Sequence, residues 1–268
     1  MNPIDTLFQT LRSQGRKAFM PFLTAGDPDL ALTAEAIPTV AAAGASMLEI
    51  GFPFSDPIAD GPVIQAAYTR ALDKGLKLAD IFAKLKGVTS LPGWSTPLVA
   101  MASYSLIWRK GVDAFLDSAI GAGLSGAVVP DLPAEEADDL AKRCRDRDFK
   151  LILLVTPTTS PARAEKIVRA CSGFVYVVSV VGITGARDRM PVDLGGMLAR
   201  LRTQTDLPLC VGFGVSRPEH VRQLKPLADG VIVGSALVKL LEQAAADRAK
   251  SLQELGRFVG ELSAALND

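Results

Sequence analysis

The sequence predicts an α/β chain folded as a single-domain (β/α)8 TIM barrel with an extra N-terminal helix. Three observations predict it. Eight apolar, β-branched runs alternate with stretches of helical spacing from one end of the chain to the other, the pattern of strands each followed by a helix. The runs are almost continuously hydrophobic, as parallel strands buried on both faces must be. The length, 268 residues, matches the roughly 250 that such barrels use for one domain. No linker or low-complexity tract divides residues 1–268.

The elements follow in order. Ile4, Leu7, Phe8 and Leu11 repeat at helical spacing and make the leading helix. Strands are expected at 18–23, 47–50, 97–102, 126–130, 150–155, 174–179, 208–212 and 230–233. Helices are expected near 30–43, 62–73, 78–86, 110–122, 134–147, 161–171, 193–203, 217–224 and 235–245, with a last one over 251–266. An open doubly wound sheet is the competing architecture. It normally carries a Gly-rich fingerprint after its first strand. Here that position reads Thr24-Ala25-Gly26-Asp27-Pro28 and does not match.

Composition removes several function classes. Lys plus Arg and Asp plus Glu both number 29, and no basic stripe is interleaved with aromatics, so nucleic acid is not an expected partner. No apolar run approaches the roughly 20 residues of a membrane span, and the start lacks a signal-peptide layout. Cys144, Cys171 and Cys210 are odd in number and far apart, which argues against a disulfide framework and for a reducing cytoplasm. His220 is the single histidine, too few for a zinc site, and the cysteines lack CxxC spacing. It follows Arg217-Pro218-Glu219 and reads as a solvated residue at a helix start.

Glu49 is the most informative residue. It stands inside the apolar run Met47, Leu48, Ile50, and burying a carboxylate is costly unless it is paired or protonated. The run breaks into a Gly- and Pro-rich loop carrying Asp56 and Asp60. No arginine or lysine ends an expected strand, so an ion pair for Glu49 is not evident. Lys17 and Lys150 lie at strand starts, whereas a Schiff-base lysine belongs at a strand's C-terminal end. With neither that lysine nor imidazole ligands, cofactor-free acid–base chemistry remains, with no metal. Glu49 in an apolar barrel mouth should have a raised pKa. Asp60, on a more solvated loop, should stay ionised, giving two carboxylates with two roles. Asp56 and Asp60 also fit turn chemistry beside Pro57 and Gly61.

Three Gly-containing loops follow strands six to eight: 182–187, Gly212-Phe213-Gly214-Val215-Ser216, and Gly234-Ser235-Ala236. Glycine admits close backbone approach, and helix-start N–H groups favour anions. Phosphate sites recur at this end of such barrels, so a small phosphate ester is the expected substrate. A plain turn at Gly214 and an N-cap at Ser235 are the alternatives.

Segment 48–61, Leu-Glu-Ile-Gly-Phe-Pro-Phe-Ser-Asp-Pro-Ile-Ala-Asp-Gly, resembles the signature of the tryptophan synthase alpha chain family. The resemblance spans essentially the whole chain. It includes 21–28, Asp131-Leu132-Pro133 with Glu135-Glu136, Pro157-Thr158-Thr159, 179–187, 211–214 and 233–236, in the family's order. It implies a lyase of tryptophan biosynthesis that cleaves indole-3-glycerol phosphate to indole and glyceraldehyde 3-phosphate by a retro-aldol reaction. By matching position, Glu49 is implied as the acid–base group and Asp60 as the carboxylate on the indole N–H. Phe22, Met101, Val128, Leu154 and Tyr176 are implied for the indole pocket, although core packing also explains them. Gly185, Gly212, Phe213, Gly214, Gly234 and Ser235 are implied for the phosphate site, and Thr184 for a closing loop that touches the Asp60 loop. No cofactor is implied in this chain. The implied partner is a pyridoxal-phosphate-dependent beta chain in a cytoplasmic α2β2 heterotetramer, met by Phe54, Ser55, Asp56 and Pro57. A stand-alone indole-releasing lyase and a weakly active allosteric partner remain as alternatives. Two features depart from the family pattern. Ser103-Tyr104-Ser105-Leu106 replaces a common Tyr-Tyr-Asn-Pro run, and Phe52 replaces a smaller aliphatic residue, with crowding expected at the loop base.

Overall fold

The computed structural model describes residues 1–58, 60–179, 193–212, 214–242, 244 and 247–268. The parallel strands are β1 (Ala18–Thr24), β2 (Leu48–Gly51), β3 (Leu98–Met101), β4 (Leu124–Val128), β5 (Lys150–Ile152), β6 (Leu154–Val155), β7 (Val175–Val178), β8 (Leu209–Gly212) and β9 (Gly230–Val233). Their order is β5-β4-β3-β2-β1-β9-β8-β7-β6. The two edges, β5 and β6, are consecutive in the chain and separated only by Leu153. They are the single expected strand 150–155, so the eight-stranded barrel closes through the chain itself. Leu153 departs from the ladder because its N–H donates to Cys171 Sγ at 3.3 Å. Its carbonyl accepts from Tyr176 N at 3.2 Å, which starts the β6–β7 pairing.

The helices are α1 (Pro3–Ser13), α2 (Leu30–Ala42), α3 (Pro62–Asp73), α4 (Leu78–Thr89), α5 (Tyr104–Lys110), α6 (Val112–Gly121), α7 (Asp138–Asp146), α8 (Pro161–Ala170), α9 (Leu194–Arg202), α10 (Pro218–Leu224), α11 (Ser235–Glu242) and α12 (Arg248–Asn267). Two expected helices are subdivided. The stretch 110–122 is interrupted at Gly111, whose φ of 90° no ordinary helix residue adopts. The stretch 134–147 begins as a 3-10 turn, Ala134–Glu136, before α7. Helix α5 was not expected. Ile107 is its one fully buried residue, so it carries no apolar stripe. Its start is fixed by polar bonds instead: Asp131 accepts from Ser103 Oγ at 2.5 Å and from Tyr104 N at 2.8 Å.

Strand alternation divides the interior into two cores. Outward residues such as Phe19, Ile50, Leu151 and Val211 pack under the helices. Inward residues such as Met20, Val99, Ile152 and Ile232 fill the barrel. Helix α1 forms the floor. Asn2 caps it, Pro3 opens it, and Ile4, Phe8 and Leu11 face the barrel interior. Phe8 meets Phe174 with ring centroids 6.0 Å apart. Asn2 Nδ2 donates to the carbonyls of Ser125 and Asp148, at 2.9 and 2.6 Å.

Phe52 is fully buried on the helix side, with its ring 5.4 Å from Phe82 and 6.3 Å from Phe115. It therefore packs behind the sheet and does not crowd the loop base. His220 starts α10 as expected but is buried, not solvated; its Nδ1 accepts from Ser216 N at 3.4 Å. Among the described residues no helix is long and apolar enough to cross a membrane.

Candidate active site

Glu49 lies mid-strand on β2. Leu48 and Ile50 face the helices, so period-2 alternation turns Glu49 inward. Its Cα partners are Phe22 on β1 and Val99 on β3, both apolar. The side chain is 1% exposed, and neither carboxylate oxygen has a hydrogen-bond partner. Burial first, and then the charge of Asp60, push its pKa up to about 8. At neutral pH Glu49 therefore holds its proton.

Asp60 immediately precedes Gly61, which caps α3, and Pro62, which opens it. Gln65 on the first turn of α3 donates to the carbonyls of Asp60 (2.8 Å) and Pro57 (3.3 Å), drawing the loop down over the barrel mouth. Asp60 is consequently 4% exposed and not solvated, contrary to the sequence expectation. Its Oδ2 has no hydrogen-bond partner. Burial first, then Asp131, raise its pKa to about 7. Burial therefore raises both carboxylates, and Asp60 does not stay in the ordinary carboxylate range that its loop position led the sequence reading to expect.

The two carboxylates open on one cavity of about 470 Å3. Phe22, Met101, Val128, Leu154 and Tyr176 all line it. Gly214, Gly234 and Ser235 line it too. Gly212 is not at the wall. A Cβ there would collide with Tyr176 Oη, so this glycine makes room for the tyrosine that is at the wall. Thr184, Gly185 and Phe213 lie outside the described residues. Ser55 and Asp56 are exposed, Phe54 and Pro57 are half-buried, and Ile58 is 83% exposed beside them.

Several wall residues were missed, among them Val63, Pro130, Ile232, Ile64 and Lys239. Ile232 sits two residues after Gly230 on β9 and was legible from strand alternation. Ile64 and Lys239 are on helices, about one turn beyond Asp60 and Ser235 respectively, where helical spacing alone does not tell which face meets the cavity. Lys239 is the one cation lining the cavity among the described residues. Ser235 begins α11, so the N-terminal end of that helix stands beside the cavity, where it suits an anion. Among the described residues no group of three or more His, Cys, Asp or Glu side chains could hold a metal ion.

The sequence profile of a family described as "Tryptophan synthase alpha chain" matches residues 8–267. The chain belongs to that family. The tryptophan synthase alpha chain of Rhodopirellula baltica is 51% identical, over 94% of this chain and 90% of that protein. That of Synechocystis is 48% identical over the full length of both. Among solved structures, tryptophan synthase subunit alpha from Legionella pneumophila superposes with a TM-score of 0.90 at 34% identity, covering 99% of this chain and 98% of that one. Tryptophan synthase from Mycobacterium tuberculosis gives 0.89 at 33% identity, covering 99% and 98%. As a tryptophan synthase alpha chain, the protein is a lyase of tryptophan biosynthesis. It cleaves indole-3-glycerol phosphate to indole and glyceraldehyde 3-phosphate.

Proposed function

We propose that Glu49 is the proton shuttle of this cleavage and Asp60 the carboxylate that steadies the indole. The observation that carries the reading is the pair of buried carboxylates, with pKa values raised to about 8 and about 7, facing one apolar cavity. Glu49 starts protonated and gives its proton to C3 of the indole. Ionised Asp60 accepts a hydrogen bond from the indole N–H and offsets the positive charge that develops there. Glu49, now a carboxylate, takes the proton of the side-chain hydroxyl. The bond from C3 to that carbon breaks, its electron pair restores the aromatic ring, and the hydroxyl carbon becomes the aldehyde. Glu49 ends with the proton count it began with. Phe22, Met101, Val128, Leu154 and Tyr176 hold the ring, and Gly214, Gly234 and Ser235 hold the phosphate.

The barrel acts as one domain over residues 1–268. Its partner is a beta chain carrying pyridoxal phosphate, in a cytoplasmic α2β2 assembly. The exposed Ser55 and Asp56, with Phe54 and Pro57, supply part of the contact surface. The test is indole release from indole-3-glycerol phosphate by the purified chain, alone and with a beta chain. Turnover is expected, faster with the partner. No turnover in either case overturns the reading, and full turnover without a partner makes the chain a stand-alone lyase.

Two further results are expected. The pH profile of kcat/KM should be bell-shaped. Activity falls below about pH 7 as Asp60 gains a proton, and above about pH 8 as Glu49 loses the one it must donate. With pKa values this close, the two limbs belong to the pair. A profile flat from pH 6 to 9 would remove both carboxylates from the chemistry. Ser235→Asp should raise KM roughly tenfold or more, because it sets an anion against a phosphate at the start of α11. An unchanged KM would place the phosphate elsewhere.

A further inference from the structure

Tyr68 belongs to α3, two turns beyond Asp60, and was not read as a site residue. It is 1% exposed, and its hydroxyl has no hydrogen-bond partner. A buried hydroxyl without a partner is uncommon, because its desolvation is not recovered. Here it does not stand alone. The buried, unpartnered side-chain oxygens among the described residues belong to Thr24, Glu49, Asp60, Tyr68 and Gln204. Thr24, Glu49 and Tyr68 meet at the ends of β1 and β2, and the charge of Asp60 acts on both Glu49 and Tyr68. Thr24 is the Cα partner of Gly51, and Gly51 lies two residues beyond Glu49 on the same face. A Cβ on Gly51 would stand 2.7 Å from Tyr68 Oη, so the glycine lets the phenol come down onto β2. On its other side the Tyr68 ring meets Phe54, with centroids 5.9 Å apart.

We propose that Tyr68 is a positioning residue for the cleavage: its O–H donates to Oδ2 of Asp60 in the substrate-bound site, aiming that carboxylate at the indole, while its ring rests on the Phe54 loop. The proposal builds on the assignment of Asp60 given above. Hydrogen bonds of this kind are commonly long in a free enzyme and tighten with substrate. The charged groups facing the phenol are Asp60 from the loop and Glu49 from β2. Tyr176 on β7 feels the same two carboxylates, and Asp131 beyond β4 acts on Asp60. On α3 itself, Arg70 is turned away to Asp27. Burial, then the charges of Asp60 and Glu49, hold the phenol proton on well above its ordinary range. Tyr68 therefore remains a donor throughout the working pH range, available when Asp60 ionises. Because the ring also touches Phe54, a shift of the partner-facing loop moves the donor.

The test is Tyr68→Phe, which removes one oxygen and keeps the ring. The variant and parent are compared for indole release with a beta chain present, for the pH profile of kcat, and for melting temperature. Expected are a kcat about tenfold lower with KM within about twofold, and an acid limb moved upward by about one pH unit, since Asp60 loses a donor to its ionised form. The melting temperature should hold or rise, because an unpartnered buried hydroxyl has been removed. An active parent with an unaltered acid limb and kcat in the variant overturns the role of Tyr68. A lower melting temperature with an unshifted acid limb also overturns it, since the residue is then only packing. An inactive parent defeats the assignment of Glu49 and Asp60 itself, a different outcome from either.

Discussion

Glu49→Gln is expected to lower kcat for indole release by roughly a hundred- to ten-thousand-fold, the span that positioned proton transfer supplies. The amide keeps the shape of the group but can neither give nor take the proton, so substrate should still bind with similar affinity. The same substitution should stabilise the protein. The folded-state pKa of Glu49 is raised from 4.5 to about 8. Below pH 4.5 folded and unfolded chains both hold the proton, and the site carries no penalty. As pH rises from there, the unfolded chain releases the proton while the folded one retains it, so stability falls until the folded group also ionises near pH 8. Gln has no such slope. The variant should match the parent near pH 4 and exceed it at pH 9, by an amount on the order of a few kcal/mol. Urea midpoints at the two pH values measure this directly. A variant that retains near-parental turnover sinks the assignment, and a gain that does not grow with pH sinks the electrostatic account.

Arg70→Leu should cost stability without touching the cavity. Asp27 is 1% exposed in its side chain, and Arg70 engages both its oxygens, Nε to Oδ1 at 2.9 Å and Nη2 to Oδ2 at 2.8 Å. Arg70 also reaches Glu242 on α11 at 3.1 Å. Leucine preserves some packing but leaves a carboxylate buried without its cation, which costs about 3 kcal/mol. For a chain of this size that is a fall in melting temperature of roughly 6–12 °C. Adding Asp27→Asn should recover part of the loss, because a neutral amide is cheaper to bury than a carboxylate. If the single variant melts with the parent, the pair is not holding α3 and α11 to the β1 loop.

The barrel was legible because its evidence is local. Each strand is a short apolar run, and α3 begins at Pro62 and ends at Asp73 as its spacing indicates. Glu49 was legible for the same reason: a carboxylate in an apolar run is visible without knowing the fold. What was not legible depends on contacts distant in the chain. The Asp60 loop looks solvated because Gly and Pro surround it. Its burial comes from Gln65 drawing it over the mouth and from the walls of other strands. Helix α5 escaped because Asp131, 27 residues after Tyr104, caps it in place of an apolar stripe. The break at Leu153 is set by Cys171, 18 residues further on. His220 looked like a surface residue because Pro218 and Glu219 flank it, yet it is 7% exposed.

The floor of the barrel carries a consequence for how the protein is made. Helix α1 is the first element in the chain, but Asn2 bonds to Ser125 and Asp148, and Phe8 rests on Phe174. These partners are synthesised long after it. During translation the Phe8–Phe174 contact waits until the start of β7 has left the ribosome, roughly ten to thirty seconds at ordinary elongation rates. At this end of the molecule a helix made early waits for partners made late before its contacts can close.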